Sequence, residues 1–282
     1  MPIYEETYSS WDGHLKSRPR TWWVIARTGI RLLWKKWMII LLLFGAIPFL
    51  VRVVQIYLMS RFGNQTSIAE ALQGLKIDPE FFIDFINGQH FLLILILILA
   101  GAGLVVNDRR FHALPIYFSK PVDFWDYVIG KLLIVGFYGS LITLVPGLLL
   151  FLIQVLLATD ATFFQRYIWI PASLIGFIFI KLVVLGGFII TLSSIARSTR
   201  TAAILFFALL TFPELLRTIL SKIPETGVVS LHADLKQVGA LFFGLKMPYD
   251  FSLWLTVCVL IGVMVLCYVI LKNKVKPTEI VR

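Results

Sequence analysis

Six long apolar runs constrain this chain more than any other feature of its sequence. They fall at residues 37–58, 89–106, 128–157, 168–192, 201–220 and 252–271. Because about 20 helical residues cross a hydrocarbon core of about 30 Å, each run predicts a membrane-spanning helix. The runs are continuous and lack the period-two alternation of a barrel wall. The sequence therefore predicts an all-α polytopic membrane protein with a single transmembrane domain over residues 1–282.

The distribution of charge predicts how these spans are oriented. The chain of 282 residues is 59% hydrophobic and has a formal net charge of +10. If the amino terminus is cytoplasmic, most Lys and Arg residues fall in the first segment, in the loops after the second and fourth spans, and in the tail. This is the asymmetry of the positive-inside rule. We therefore expect both termini in the cytoplasm, and the basicity requires no nucleic-acid partner.

The segment before the first span, residues 19–36, predicts an amphipathic helix that lies on the membrane surface. Its basic stripe consists of Arg20, Arg27, Arg31 and Lys35. At about 100° per residue, Trp, Ala, Ile and Leu side chains gather on the opposite face. Such a helix places its basic groups at anionic lipid head groups and its aromatic groups below them. An ordinary flank of positive-inside charge is the alternative.

The segment of residues 213–251, from the last part of the fifth run to the start of the sixth, is longer than a turn requires. The segment is apolar and is interrupted by Pro and Gly. Pro213 lacks a backbone donor, and we expect it to interrupt the fifth span. The composition predicts short helices that enter the bilayer part way, a re-entrant segment before the last span. A folded external loop is the alternative.

The sequence carries no motif for bond-breaking chemistry. It lacks the phosphate loop GxxxxGK[ST] and the motifs HExxH, CxxC and GxSxG. Its four His residues are spread over different predicted loops and ends, so we expect no metal site. We therefore expect neither a catalytic residue nor a cofactor in this chain, and active work would draw its energy from a partner.

Two ionisable residues lie within predicted spans, where charge is expensive. Lys181 is near the middle of the fourth span, where a charge costs about 2.5–3.5 kcal/mol on insertion scales. Glu214 lies nearer the outer face, in the fifth span. We expect these residues to border a polar translocation path or to pair across neighbouring helices. The alternative is that Glu214 pairs with Arg217 at i+3 and that Lys181 bonds to nearby carbonyl groups.

The stretch NDRRFHALPIYFSKPVDFWDYVIGK, residues 107–131, separates the second and third apolar runs. Phe111, Leu114 and Phe118 recur at i, i+3 and i+7 and give a short helix an apolar stripe. Pro121 then ends this short helix. Aromatic side chains interleaved with charges are typical of a docking surface. A loop that only reconnects the spans is the alternative.

The sequence DRRFHALPIYFSKPVDFWDYVIGKLL within this stretch resembles a pattern found in the type-2 permeases of ATP-binding-cassette (ABC) exporters. The matching positions are Asp108, Leu114, Lys120, Pro121, Tyr127, Gly130 and Lys131. His112 departs from the pattern, because it stands where the family has a small residue such as Gly. We call residues 108–124 the elbow. In the type-2 permeases the corresponding segment is a coupling helix that binds in a groove of a separate ATPase subunit.

The resemblance implies an export permease of a prokaryotic inner membrane, surrounded by lipid. It implies a dimer with a second copy or a homologous permease and two ATPase subunits, which bind ATP and Mg²⁺. The implied coupling residues are Asp108, Arg109, Arg110, Phe111, Leu114, Phe118, Lys120 and Pro121. Two alternatives stay open: a transporter driven by an ion gradient, using Lys181 and Glu214, and a non-transport scaffold that docks a cytoplasmic protein. No substrate is implied.

Overall fold

The computed structural model describes residues 20–62, 76–118, 122–158, 162–219 and 230–275. Within these ranges the chain forms α-helices and no β-strand, which confirms the all-α prediction. In chain order the helices are α1 (Thr21–Leu33), α2 (Lys36–Phe62), α3 (Pro79–Gly88), α4 (His90–Gly101), α5 (Val106–Arg110), α6 (Ala113–Phe118), α7 (Phe124–Ile142), α8 (Leu144–Leu157), α9 (Thr162–Tyr167), α10 (Ile170–Ile195), α11 (Thr199–Ile219), α12 (Leu231–Phe242) and α13 (Leu253–Lys274).

Among the described residues, six helical segments are long and apolar enough to cross a membrane, and this confirms the predicted number of spans. They are Lys36–Arg61, His90–Arg110, Phe124–Leu157, Thr162–Ile195, Thr199–Ile219 and Leu253–Lys274. The third and fourth segments have 34 residues each. Since about 20 residues suffice to cross the hydrocarbon core, both have residues to spare beyond it.

The second span is broken between α4 and α5, where residues 102–105 form turns. Ser193 of α10 supplies partners for the freed backbone groups. Its hydroxyl accepts hydrogen bonds from the amides of Val105 and Val106, each at 3.1 Å, and donates to the Ala102 carbonyl at 2.8 Å. Buried backbone groups need such partners. The break is therefore a stabilised feature of the fold, and α5, which follows it, carries the first residues of the elbow.

Two prolines affect their spans differently. The third span is divided into α7 and α8 at Thr143, three residues before Pro146, whose ring cannot fit against an unbroken preceding turn. Pro213 lies inside α11, which continues to Ile219. The expectation that Pro213 interrupts the fifth span is therefore wrong. Neighbouring groups and small local adjustments allow spanning helices to tolerate an internal proline.

Helix α1 packs along the third span. Ala26 is completely buried, and a Cβ built at Gly130 of α7 would lie only 3.0 Å from the Trp22 carbonyl oxygen. The Tyr138 hydroxyl donates to the Ile30 carbonyl oxygen at 2.7 Å. The apolar stripe of α1 thus contacts protein, where the sequence led us to expect lipid below it.

The basic stripe of α1 and the following linker points away from the protein. Arg20, Arg27, Arg31 and Lys35 are all exposed. Trp34 and Lys35 separate α1 from the first span. Contact between these four residues and lipid head groups stays a prediction.

Two helices, α3 and α12, are not part of any spanning segment, and they lie toward the end of the helix bundle opposite the elbow. Asp78 caps α3, because its side chain accepts a hydrogen bond from the Phe81 amide at 3.2 Å. Ser230 caps α12 in the same way, accepting from the Ala233 amide at 3.3 Å. After α12 the chain turns at Gly244, which has φ of +61°. The depth of α12 in the bilayer stays a prediction.

Candidate functional site

A buried ion pair joins the second and third spans at the base of the elbow. Lys131 Nζ lies 2.7 Å from Asp108 Oδ2, and the two side chains are 7% and 15% exposed. The Tyr127 hydroxyl donates to the same carboxylate oxygen at 2.8 Å. These are three of the residues that carry the family resemblance, and the fold brings them together.

Helix α6 of the elbow is held by the same group. The Lys131 ammonium lies 5.7 Å from the Tyr117 ring centre and 5.3 Å from the Tyr127 ring centre, which are cation–π distances. The two tyrosine rings meet edge to face at 5.6 Å. Burial, together with the Asp108 carboxylate, raises the pKa of Tyr117 above its ordinary value. One ion pair therefore fixes α5, α6 and the start of α7.

The turn between α5 and α6 has a left-handed backbone. His112 has φ of +53°, a region that residues with a Cβ avoid and that glycine enters freely. This is the position at which the family pattern has a small residue. The conformation gives a physical reason for that preference, and in this chain a His residue adopts it.

The left-handed turn also changes which elbow residues face outward. Phe111 precedes the turn and is 71% exposed, whereas Leu114 follows it and is only 8% exposed within the hydrophobic core. Helical periodicity does not continue through a left-handed residue, so the i, i+3 spacing does not place these two side chains on one face. Phe118 ends α6. The remaining two predicted coupling residues, Lys120 and Pro121, lie outside the described residues.

The link between the fourth and fifth spans lies against the elbow. A guanidinium nitrogen of Arg109 donates to the Ser194 carbonyl oxygen near the end of α10. The Thr199 hydroxyl at the start of α11 donates to Asn107 Oδ1 at 3.3 Å. The elbow is thus joined to the second, third, fourth and fifth spans. These contacts are far apart in sequence, and no spacing pattern predicts them.

The outward side of this region is basic and aromatic. We define the elbow surface as the exposed residues Arg109, Arg110, Phe111 and His112, with Arg197 and Arg200 from the neighbouring link. The Arg110 guanidinium lies 5.8 Å from the Phe111 ring centre. In the sequence, Arg197 and Arg200 contributed only to the predicted orientation, and the fold places them beside the elbow.

A second group of polar side chains lies between α4, α10 and α12, with Lys181 buried and the two His residues half-buried. Lys181 is 1% exposed, and its Nζ donates to the Ile86 carbonyl oxygen at 3.4 Å. The rings of His90 and His232 stack with their centres 3.8 Å apart and their planes 27° apart. Lys181 lies within electrostatic range of both rings. We call Lys181, His90 and His232 the polar cluster.

The polar cluster brings together side chains that are far apart in the sequence. Two of the four scattered His residues meet, because α3, α4 and α12 pack together in the fold although they are distant in the chain. Burial, reinforced by Lys236 and Lys181, lowers the pKa of His232 to about 4. In the part of the chain that the structure describes, no group of three or more His, Cys, Asp or Glu residues could hold a metal ion.

Glu214 makes local contacts near the end of α11 that is remote from the elbow. Its Oε1 lies 2.6 Å from a guanidinium nitrogen of Arg217, the i+3 pairing considered from the sequence. The Ser230 hydroxyl donates to Glu214 Oε2 at 2.5 Å and so joins α11 to the start of α12. Over the described ranges, no hydrogen bond or ion pair connects Glu214 with Lys181.

The six spans and the anchored elbow define a polytopic membrane protein of the permease class. Residues 23–238, about three quarters of the chain, match the family model described as ABC-2 family transporter protein, and the chain belongs to that family. It is therefore a permease of an ABC transport system, the membrane component and not the catalytic ATPase. This membership favours the ABC assignment over an ion-gradient transporter or a scaffold. No curated protein matches the sequence.

Proposed function

We propose that this permease exports its substrate across a prokaryotic cytoplasmic membrane and is driven by ATPase subunits bound at the elbow surface. Two permeases, either two copies or this chain and a homologue, work with two ATPases. ATP and Mg²⁺ bind to the ATPases, and both termini of the permease lie on the cytoplasmic side with them.

The exposure of Phe111 on a firmly anchored elbow is the observation that carries this proposal. A side chain that is 71% exposed in water is a candidate anchor for a partner. Beneath it, the Lys131–Asp108 pair and the contact between Arg109 and Ser194 tie the elbow to the spans. A displacement of the bound ATPase is therefore transmitted to several spans at once.

Charge supports the same assignment. The elbow surface includes four exposed Arg side chains, and the Arg110 guanidinium lies beside the exposed Phe111 ring. Arg groups form strong paired hydrogen bonds with carboxylates, and complementary charge accelerates and orients docking. The proposed groove on the ATPase is therefore apolar at its centre and acidic at its rim. Leu114 acts from inside, because its burial holds α6 against the permease.

We assign the translocation path to the side of α10 that carries Lys181. Placing an ammonium group within a span costs free energy, and such groups occur where they line a polar path or meet a partner. The stacked pair of His90 and His232 gives that path a polar wall. Glu214 belongs to its outer end, because its bond to Ser230 holds α12 on α11, and loss of that contact would free α12.

The basic stripe of Arg20, Arg27, Arg31 and Lys35 is proposed to bind anionic lipid on the cytoplasmic side. All four side chains are exposed on the helix and linker that precede the first span. Basic groups near an anionic leaflet are attracted by about 1 kcal/mol each. Since α1 packs on the third span, lipid binding would hold that span at a fixed height.

Affinity purification from native membranes in mild detergent tests the proposed partner. We expect an ATPase with a Walker-A motif to co-purify with the wild-type chain and to hydrolyse ATP in the complex. The Phe111→Ser variant should lose this subunit. Tyr57→Ser is the matched control, because Tyr57 is an exposed aromatic residue near the far end of α2. A wild-type preparation without such an ATPase, or equal recovery with both variants, would contradict the proposal.

A further inference from the structure

Helices α7, α10 and α13 form an apolar groove of about 620 Å³ that is open along one side. Its lining includes Phe179, Ile261 and Val265, whose side chains are more than half exposed. The walls carry almost no polar atoms. All three helices belong to spans, so the groove lies at membrane depth and its walls suit an apolar occupant.

The length of the groove matches one leaflet of a membrane. Along α13 the lining extends from Leu260 to Leu271, which is about 16 Å at a rise of 1.5 Å per residue. The hydrocarbon core of a bilayer is about 30 Å thick, so a single leaflet contributes about 15 Å. An acyl chain that occupies one leaflet therefore fits this length.

One end of the groove, which we call its mouth, carries aromatic and basic side chains of the kind found at a membrane–water interface. Trp125 stacks on Tyr268 with ring centres 5.4 Å apart and planes 13° apart, and aromatic residues of this kind are enriched at head-group level. The ammonium group of Lys272 lies 5.7 Å from the Tyr268 ring centre. Tyr127, two residues beyond Trp125, bonds to Asp108. The mouth therefore lies at the elbow side of the membrane.

We infer that this groove is a binding site for a phospholipid of the leaflet on the elbow side. One acyl chain lies along α13 between Leu260 and Leu271, and the phosphate group meets the ammonium of Lys272. Lys272 is exposed and has no ion-pair partner within the described ranges, so its charge is available to a phosphate. The site is separate from the elbow surface and the polar cluster, and it does not depend on the proposed export function.

Glycine positions provide a matched test. A Cβ built at Gly187, which lines the groove, would meet only the Met264 side chain at 3.6 Å, an ordinary contact. Gly187→Leu therefore fills the groove without a backbone clash. A Cβ at Gly262 would meet nothing within 4 Å, and Gly262 is exposed on α13 outside the groove. Gly262→Leu is the control.

The full-length protein in its purified assembly would be equilibrated with vesicles of phosphatidylethanolamine and phosphatidylglycerol, extracted in mild detergent and weighed by native mass spectrometry. We expect the wild type and Gly262→Leu to retain a phospholipid, with the added mass identifying its head group. Gly187→Leu should lose it. Lys272→Gln should retain less than Lys274→Gln, and these exposed positions do not affect the core.

Either of two results would overturn the inference. One is that Gly187→Leu retains as much phospholipid as Gly262→Leu, and Lys272→Gln as much as Lys274→Gln. The other is a lipid-free chain whose groove residues cross-link to a second copy, which would assign the groove to a contact between permeases.

Discussion

Lys131 and Asp108 form an ion pair of 2.7 Å that joins the third span to the end of the second span. Its position beneath the elbow surface makes it the link through which a docked ATPase would act on the spans. The pair is mostly buried, so the loss of either charge would leave the other without a counter-charge away from water.

Removing one member of this pair should destabilise the protein strongly. We expect Lys131→Met to cost about 3 kcal/mol, because it leaves the Asp108 carboxylate buried without a counter-charge. The double variant Asp108→Leu/Lys131→Met should recover much of that loss, since it leaves no unpaired charge. Unfolding of the single and double variants in detergent measures both values. Losses that simply add in the double variant would show that the two groups are not coupled.

The left-handed turn at His112 predicts a stabilising substitution. His112→Gly should raise the free energy of unfolding by about 1 kcal/mol, because glycine adopts positive φ without the strain of a Cβ. Ala113→Gly, one residue later in helix α6, should lower it, since glycine is a poor helix former. Thermal unfolding compares the two variants. A decrease with His112→Gly as large as that with Ala113→Gly would contradict the left-handed conformation.

Lys181 is predicted to matter for transport more than for folding. Lys181→Met keeps the length of the side chain and removes a buried charge, so we expect unchanged or greater thermal stability and normal assembly with the ATPase. ATP hydrolysis coupled to transport in reconstituted vesicles should fall sharply. Lys246→Met, at an exposed position outside the spans, is the control. Wild-type transport by Lys181→Met would remove this residue from the translocation path.

The stacked His pair predicts a pH dependence of stability. His232 faces His90, Lys181, Lys236, Glu214 and Arg217, and its pKa of about 4 is below the ordinary value of 6.5. A His whose pKa is lowered by folding contributes its full stabilisation above pH 6.5, and that contribution is lost as the pH falls toward 4.

The stability advantage of the wild type over His232→Gln should therefore shrink as the pH falls from neutral to 4, by an amount of the order of 2 kcal/mol. Unfolding of both proteins over this pH range measures the difference. A difference that stays constant with pH would exclude a lowered pKa of His232 in the folded protein.

Much of the fold could be predicted from the sequence because a membrane allows few solutions. Lipid offers no hydrogen bonds to a backbone, so an apolar run of sufficient length has to be helical. The six spans follow from this constraint alone. The elbow was also predictable in part, because Asp108, Tyr127 and Lys131 lie within 24 residues of one another in the sequence and meet across the short helix α6.

The remaining features depend on contacts that spacing does not encode. His90 and His232 stack although 142 positions separate them in the chain, and Ser193 stabilises a break in a different span. The i, i+3 spacing of Phe111 and Leu114 was misleading, since one left-handed residue between them rotates the two side chains apart. The backbone angle of His112 could be anticipated only from the small residue that the family pattern places there.

The most direct test of the central claim is site-specific photocross-linking from position 111 in native membranes. A photoreactive phenylalanine analogue at this exposed position should form an adduct with an ATPase that carries a Walker-A motif, because we place Phe111 in the groove of that subunit. The same analogue at the control position Tyr57 should form none. An absence of ATPase adducts at position 111, or equal adducts at both positions, would contradict the claim that the elbow is where the ATPase drives this permease.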